Sequence, residues 1–240
     1  GVRDEGDAPV PMLLVPPLMV SSEIYDMAPG NSAVTLLAEG GIDTYLIDFG
    51  APEVQEGGLK RTLEQHVLAV DEAIEEVRRR TGQDVHLAGY SQGGVFCYQV
   101  AAYRRGEGIG SLVTFGSPVN IWRGLPLPVH EELAERLLTT AGGAIRDPLK
   151  LLPALPKQVT AWGFKVLNPV KEVRQLQTLL GVMHDRDALR QREPQRRFVD
   201  GEGFVAWPGP AFREFVDDVV IHNRLARGGQ VLGGRTLNLA

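Results

Sequence analysis

A short glycine-flanked segment, Gly89-Tyr90-Ser91-Gln92-Gly93, contains the residue best suited to covalent chemistry. In the pattern Gly-x-Ser-x-Gly a serine stands on a sharp turn between a strand and a helix. Glycines two residues before and two residues after the serine avoid the clashes that side chains would make in such a turn. A serine held in this way is typical of a nucleophile that attacks acyl carbonyl groups, so we predict that Ser91 is catalytic and that Gly89 and Gly93 form its turn.

Two backbone amides are predicted to stabilise the charge that develops on the carbonyl oxygen. The first is the N–H of Gln92, which begins the following helix, where the helix dipole adds to the effect. The second donor should come from the loop after an earlier strand. Val15 ends such a strand and the next two residues are prolines, which have no N–H, so Leu18 is the first available donor. The alternative for this loop is an ordinary strand end.

A serine nucleophile needs a base, and the base needs an acid that orients it. In chains with this motif the acid and then a histidine follow the serine. Two of the five histidines precede Ser91, and the other three are His130, His184 and His222. These three fall in predicted helical regions and are weak candidates for the base. We therefore expect the acid and the base to lie beyond residue 240, and the sheet to be incomplete at both ends.

The first 120 residues alternate short apolar runs with amphipathic helices, which is the pattern of a parallel sheet with crossover helices. Strands are predicted over 11–15, 44–49, 84–88 and 111–115, and helices over 31–39, 63–80 and 93–105. The helix over 63–80 is the clearest, because its apolar residues form one stripe at helical spacing. Thr62 and Gln65 can form a capping box at its start, and Gly82 can end it.

The composition and the hydrophobic pattern of the sequence change after residue 120. Residues 121–206 are rich in leucine and proline and contain no clear strand; helices are predicted near 129–140, 147–152, 170–183 and 186–192. A helix over 212–227 and a hairpin over 230–239 follow. We predict three parts: the first part of an α/β core at 1–120, a helical cap insertion at 121–206, and a return segment to the core at 207–240.

Composition limits the classes of function. The 240 residues carry a net charge of −5, so no global basic signal for nucleic acid is present. The arginines between 186 and 197 alternate with acidic residues, which indicates a solvated helix face, or else a patch for an anionic group. Cys97 is the single cysteine, and no metal or cofactor motif occurs, so none is expected. No apolar run approaches the length of about 18 residues that a membrane span needs, and no secretory signal begins the chain. We predict a soluble cytoplasmic protein.

Several segments together resemble one family. They are Leu14-Val15-Pro16-Pro17, Gly89-Tyr90-Ser91-Gln92-Gly93-Gly94, Thr114-Phe115-Gly116-Ser117-Pro118-Val119, Trp207-Pro208-Gly209-Pro210-Ala211-Phe212, Asn223-Arg224-Leu225 and Leu232-Gly233-Gly234-Arg235-Thr236-Leu237-Asn238-Leu239. With them the chain resembles the polyhydroxyalkanoate (poly-3-hydroxybutyrate) synthases of the α/β-hydrolase superfamily. The resemblance implies an α/β-hydrolase fold, with a mostly parallel sheet, helices on both faces and a helical cap. It also implies a hydroxyacyl-CoA substrate.

The chain departs from this family at its nucleophile, because the family has cysteine where Ser91 stands. A thiolate is the better nucleophile and leaving group for repeated thioester exchange, so serine favours an esterase, a depolymerase or a single acyl transfer. Cys97 lies six residues further on, inside a predicted helix, and is interpreted as a small buried apolar residue. The resemblance also permits a fused acyl-CoA synthetase module and a homodimer as partners.

The leading hypothesis is a serine acyl hydrolase or acyltransferase that acts on acyl esters or thioesters of hydroxy or fatty acids. One alternative is a catalytically inactive hydrolase-fold module that binds acyl chains or a neighbouring module. Another alternative is a polyester synthase that depends on serine.

Overall fold

The computed structural model describes residues 8–124, 130–167 and 184–237, so the helix predicted over 170–183 lies outside the described residues. The strands, in chain order, are β1 (Val10–Val15), β2 (Asp26–Ala28), β3 (Asn31–Ser32), β4 (Ile42–Leu46), β5 (Val85–Tyr90), β6 (Ile109–Phe115), β7 (Ala154–Leu155), β8 (Trp207–Pro208), β9 (Val231–Leu232) and β10 (Arg235–Thr236). The helices are α1 (Ala33–Glu39), α2 (Leu63–Thr81), α3 (Gln92–Arg104), α4 (Ile121–Gly124), α5 (Glu131–Leu149), α6 (Lys157–Leu167), α7 (Arg186–Arg197), α8 (Gly209–Phe215) and α9 (Arg224–Arg227).

Four strands form a parallel sheet in the order β4-β1-β5-β6. Consecutive residues of β1, Leu13 and Leu14, are both buried, as expected of a strand that is covered on both faces. Leu13 belongs to a core shared with α2 and α3, whereas Leu14 packs in a second cluster that includes Val34 and Leu37 of α1. The predicted parallel sheet with helices on both faces is therefore confirmed.

Strand β6 lies at one edge of this sheet, and its outer residues are more exposed than those of β1 or β5. The side chains of Val113 and Phe115 face the same way in β6, and Phe115 is 54% exposed. On the same face of β6, the Ser111 hydroxyl forms a hydrogen bond of 2.6 Å with Nδ1 of His86 in β5.

Helix α2 begins and ends where the sequence predicts. The Gln65 N–H donates to the Thr62 hydroxyl at 3.1 Å, and the Thr62 N–H donates to the Gln65 side chain at 3.0 Å, which together make the capping box. Gly82 ends the helix with a φ of 70°. The apolar stripe of the helix faces the sheet, and Val70 and Ile74 in its middle are fully buried.

We predict that Thr62→Ala lowers the free energy of unfolding by about 1 kcal/mol, because the Gln65 N–H at the start of the helix loses its acceptor. Urea denaturation measures the loss. Glu72→Ala, on the exposed face of the same helix, is the matched control and should change the free energy of unfolding by less than about 0.5 kcal/mol. Equal losses in the two variants would contradict the role of the cap.

Residues 121–206 contain more order than the sequence indicated. The helix predicted over 129–140 and the start of the helix predicted over 147–152 form one helix, α5, which ends one residue after Pro148. Helix α6 was not predicted, and α7 extends five residues beyond the predicted end at 192. The expectation that this region lacks a strand was wrong: β7 pairs antiparallel with β8, since two residues are enough for a bridge that no sequence period reveals.

The two arginines in the last turn of α7, Arg196 and Arg197, are paired on its exposed surface. Arg196 forms ion pairs with Glu193 and Asp200 at 2.8 and 2.9 Å, and Arg197 pairs with Glu202 at 2.9 Å. These contacts agree with the interpretation of this segment as a solvated helix face.

The helix predicted over 212–227 is interrupted. It consists of α8, a π-helical turn at Val216–Ile221, and α9, which are separated because Asn223 takes a left-handed conformation with a φ of 47°. The predicted hairpin after it is confirmed by the antiparallel pair β9 and β10. Helix α1 also begins later than predicted, after the short strand β3, and the Ser32 hydroxyl caps it. Across the described ranges, none of the helices combines the length and the apolar character that crossing a bilayer requires.

Candidate active site

Ser91 occupies the sharp turn between β5 and α3 in a strained backbone conformation. Its φ and ψ are 52° and −119°, a combination that residues with a side chain rarely adopt. The Ser91 N–H donates to the carbonyl oxygen of Phe115 at 2.8 Å, which fixes the turn to the end of the neighbouring strand β6. Strain of this kind persists where the surrounding structure enforces it, and it concentrates at functional sites. The predicted strand–turn–helix geometry is present, and the chemical role of Ser91 stays a prediction.

Close backbone packing explains the glycines of the turn. A Cβ atom on Gly89 would lie 2.4 Å from the Cα of Gly94, and a Cβ on Gly93 would lie 2.0 Å from the carbonyl oxygen of Val15. Sequence reasoning did not assign a role to Gly94, where a Cβ would lie 2.0 Å from the Ser117 hydroxyl oxygen. The doublet Gly93-Gly94 was the available signal. Together these contacts press the start of α3 against the ends of β1 and β5.

The two residues predicted to supply the oxyanion donors are in contact, and the N–H of one of them is already engaged. The Leu18 N–H donates to Oε1 of the Gln92 side chain at 3.2 Å. Both residues are buried, with 1% of Leu18 and 5% of Gln92 exposed. The Gln92 backbone N–H stands at the first position of α3, where helices leave donors without intrahelical partners. The sequence predicted which two residues meet here, and it missed the contact through the glutamine side chain.

Tyr25 supports the loop that carries Leu18. Its hydroxyl donates to the carbonyl oxygen of Val15 at 3.0 Å, and the carbonyl oxygen of Ala88 lies 3.5 Å away. Burial raises the pKa of Tyr25 above its usual range, so the hydroxyl keeps the proton that it donates. No sequence signal marks this residue, because its partners lie 10 and 63 positions away along the chain.

We predict that Tyr25→Phe lowers the free energy of unfolding by about 1 kcal/mol, because the buried Val15 carbonyl loses its donor. Urea denaturation measures the loss. Tyr45→Phe is the control, since the Tyr45 hydroxyl bonds Asp43 in its own strand near solvent, and it should cost less. A larger loss for Tyr45→Phe would show that the Tyr25 hydroxyl does not hold the loop.

Three of the histidines, His66, His86 and His222, have partners away from the turn. His86 contacts Ser111, and His222 Nε2 lies 3.6 Å from Oδ1 of Asp217. Among residues 8–124, 130–167 and 184–237, no hydrogen bond joins a histidine ring to Ser91. Cys97 is fully buried in α3, and burial raises the pKa of its thiol to about 12, so it is not a competing nucleophile at neutral pH.

No protein-family model matches the chain. Its sequence is similar to poly(3-hydroxyalkanoate) polymerase subunits PhaC from several organisms. The subunit of Allochromatium vinosum is 26% identical over 236 residues, which cover 96% of this chain and 62% of the relative. The subunit of Haloferax mediterranei is 26% identical over 248 residues, covering 99% of this chain and 46% of the relative. The subunit of Synechocystis sp. is 25% identical and covers 98% and 61%.

Two solved structures are also similar to parts of the chain. The mature lipase BlEst2 of Bacillus licheniformis has a TM-score of 0.38 and 18% identity, over 50% of this chain and 45% of the lipase. An extracellular α/β-hydrolase from a Paenibacillus species has a TM-score of 0.38 and 19% identity, over 56% of this chain and 53% of that protein.

The chain spans between about half and three-fifths of the length of the curated relatives that it matches. The parallel sheet, the helices on its two faces and the strained turn at Ser91 are the features of an α/β-hydrolase fold. Over nearly all of its residues the chain is similar to the PhaC polymerase subunits, and its parallel sheet and the turn at Ser91 are arranged as in an α/β-hydrolase fold.

Proposed function

We propose that the chain carries the nucleophile of a serine acyl hydrolase or acyltransferase that acts on acyl esters or thioesters of hydroxy or fatty acids. The observation that supports this function most is the backbone of Ser91, which is held at a φ of 52° between β5 and α3. An enforced conformation of this kind exposes a hydroxyl at the end of a strand, beside the first amides of a helix. A turn with a purely structural role would accommodate glycine at that position with less strain.

In the proposed reaction the Ser91 Oγ attacks the acyl carbonyl carbon while a base accepts the hydroxyl proton. The backbone amides of Gln92 and Leu18 bind the oxygen on which negative charge develops. The leaving alcohol or thiol takes up the proton, and an acyl-serine ester remains. Water or another acceptor then attacks this ester and restores the serine. In the chain order typical of this motif, the acid and then the base follow the serine.

We infer the substrate class from the names of the similar proteins and from the type of nucleophile, serine. The names of the relatives describe polymerisation of 3-hydroxyalkanoates, so we infer that a hydroxyacyl ester or thioester, such as an acyl-CoA, reaches Ser91. Serine favours hydrolysis or a single transfer over repeated chain growth, because an alkoxide is a poorer leaving group than a thiolate. A serine-dependent polyester synthase is the variant of this proposal that polymer formation from hydroxybutyryl-CoA would establish.

The proposal assigns roles to the other parts of the chain. Residues 121–206 form a cap over the acyl group, and residues 207–240 return from the cap to the core. A fused acyl-CoA synthetase module and a second copy of the chain are the proposed protein partners, in the cytoplasm. The pairing of β7 with β8 connects the middle of the proposed cap to the start of the return segment.

The experiment that tests the function is covalent trapping of the full-length protein with a fluorophosphonate, followed by peptide mass spectrometry. We expect one phosphonyl group on the peptide that contains Ser91. An adduct on another residue would contradict the proposed nucleophile.

The engaged Leu18 N–H favours a second candidate, an inactive hydrolase-fold module that binds acyl chains. This candidate predicts that the full-length protein forms no adduct at any residue while it still binds an acyl-CoA in a calorimetric titration.

A further inference from the structure

The Gln92 side chain makes a contact that the proposed reaction does not use. Its Oε1 accepts the Leu18 N–H, while its Nε2 is buried without a hydrogen-bond partner among the described residues. The orientation of this amide is determined by chemistry, because the reverse orientation would point the Nε2 donors at another donor. An oxygen atom of the chain therefore occupies the acceptor position on the Leu18 N–H, one residue from the proposed nucleophile.

We propose that the Gln92 side chain is a positioning residue of the oxyanion site, whose Oε1 holds the Leu18 N–H until the acyl oxygen displaces it. This inference rests on the proposed function of Ser91 and extends it to a side chain that the Gly-x-Ser-x-Gly pattern leaves unassigned. Gln92 then contributes twice, since its backbone N–H binds the oxyanion and its side chain keeps the second donor oriented and shielded from water.

Replacement of Gln92 Oε1 by the acyl oxygen, as the acceptor of the Leu18 N–H, is most favourable in the transition state. A neutral carbonyl that replaces a neutral amide oxygen gains little, because the two hydrogen bonds are of similar strength. An oxyanion forms a charge-assisted bond that is about twice as strong. Gln92 Oε1 is therefore displaced more readily by the oxyanion of the transition state than by the carbonyl oxygen of the bound substrate. A difference of this kind accelerates the reaction.

The hydrogen bonding of the Gln92 side chain also favours its rotation away from the Leu18 N–H. While Oε1 accepts the Leu18 N–H, Nε2 has no partner within the part of the chain that the structure describes, and a buried donor without a partner is unfavourable. When the side chain turns toward solvent, both ends of the amide gain water. The loop itself stays in place, because the Tyr25 hydroxyl still holds the Val15 carbonyl and Gly93 still packs against it.

The test compares Gln92→Leu with Gln99→Leu in the full-length protein. Gln99 is the matched control, because it is a second buried glutamine of α3, 2% exposed, whose Oε1 has no hydrogen-bond partner in the described ranges. If Gln92→Leu does not fold, Gln92→Met removes the same acceptor with an unbranched side chain. Two readouts are measured for each variant.

The first readout is hydrogen exchange of the peptide that covers residues 15–19. Val15 becomes the N-terminal amine of this peptide, and Pro16 and Pro17 have no N–H, so Leu18 is one of two amides that the peptide reports. We expect exchange of one amide to be at least about tenfold faster in Gln92→Leu than in the wild type, and unchanged in Gln99→Leu. Unchanged exchange in Gln92→Leu would overturn the proposal, whatever the activity of the protein.

The second readout is the rate constant of fluorophosphonate labelling. We expect Gln92→Leu to label about 2- to 10-fold faster than the wild type, which corresponds to release of one neutral hydrogen bond. A faster reaction is a result that simple loss of packing would not produce. Slower labelling in Gln92→Leu but not in Gln99→Leu would overturn the proposal that Gln92 Oε1 must leave the Leu18 N–H, because it would mean that the Gln92 side chain itself assists the reaction. Absence of labelling in every protein would refute the role of Ser91, and the exchange readout would still decide the contact.

Discussion

Replacement of Ser91 by alanine is expected to abolish phosphonyl labelling and to lower turnover of an acyl ester by about 10³-fold or more. The reason is that the first step forms a bond between the serine oxygen and the acyl carbon, which alanine cannot supply. Alanine and serine have the same Cβ and tolerate a φ of 52° about equally, so the turn should survive. Mass spectrometry of the labelled protein and ester turnover measure the two effects.

Ser111→Ala is the sharpest control for this experiment. Ser111 also has a hydroxyl within 2.6 Å of a histidine nitrogen, that of His86, but it lies in the extended edge strand β6 and not on a strained turn. We expect Ser111→Ala to label at the wild-type rate. If Ser111→Ala removed the adduct and Ser91→Ala kept it, a serine–histidine contact and not the turn would define the reactive serine.

Replacement of Gly93 by alanine is expected to have the largest effect on stability. The added Cβ would lie 2.0 Å from the Val15 carbonyl oxygen and 2.8 Å from the Pro16 carbonyl carbon. Both atoms belong to backbone, which the following prolines and the Tyr25 hydroxyl hold in place, so the clash cannot be relieved by turning a side chain. We expect a loss of about 3 kcal/mol or more in the free energy of unfolding, together with loss of labelling.

The matched control for this variant is Gly143→Ala. Gly143 lies in α5, where an added Cβ would meet nothing within 4 Å. Alanine favours a helix by up to about 1 kcal/mol over glycine, so Gly143→Ala should leave the protein equally stable or slightly more stable. Urea denaturation compares the two variants. A loss of similar size in both would mean that the contact between the turn and the end of β1 does not decide stability.

The features that the sequence predicted well are local. The capping box of α2 joins Thr62 to Gln65, three positions apart, and the strained turn at Ser91 follows from glycines two positions away on each side. The hairpin β9–β10 likewise closes over Gly233-Gly234. In each case the interacting groups lie within a few residues, so residue type and spacing suffice to predict the structure.

The features that only the tertiary structure decided join distant residues. Leu18 reaches the Gln92 side chain across 74 positions, and β7 pairs with β8 across more than 50. Tyr25 holds two strand ends that the sequence does not connect with it. The path of the backbone selects these partners, because a hydroxyl or an amide side chain can bond to many groups and residue type alone does not distinguish among them. The sequence by itself thus determined where the strained turn lies, whereas folding decided which side chains support that turn and which one already bonds the Leu18 N–H.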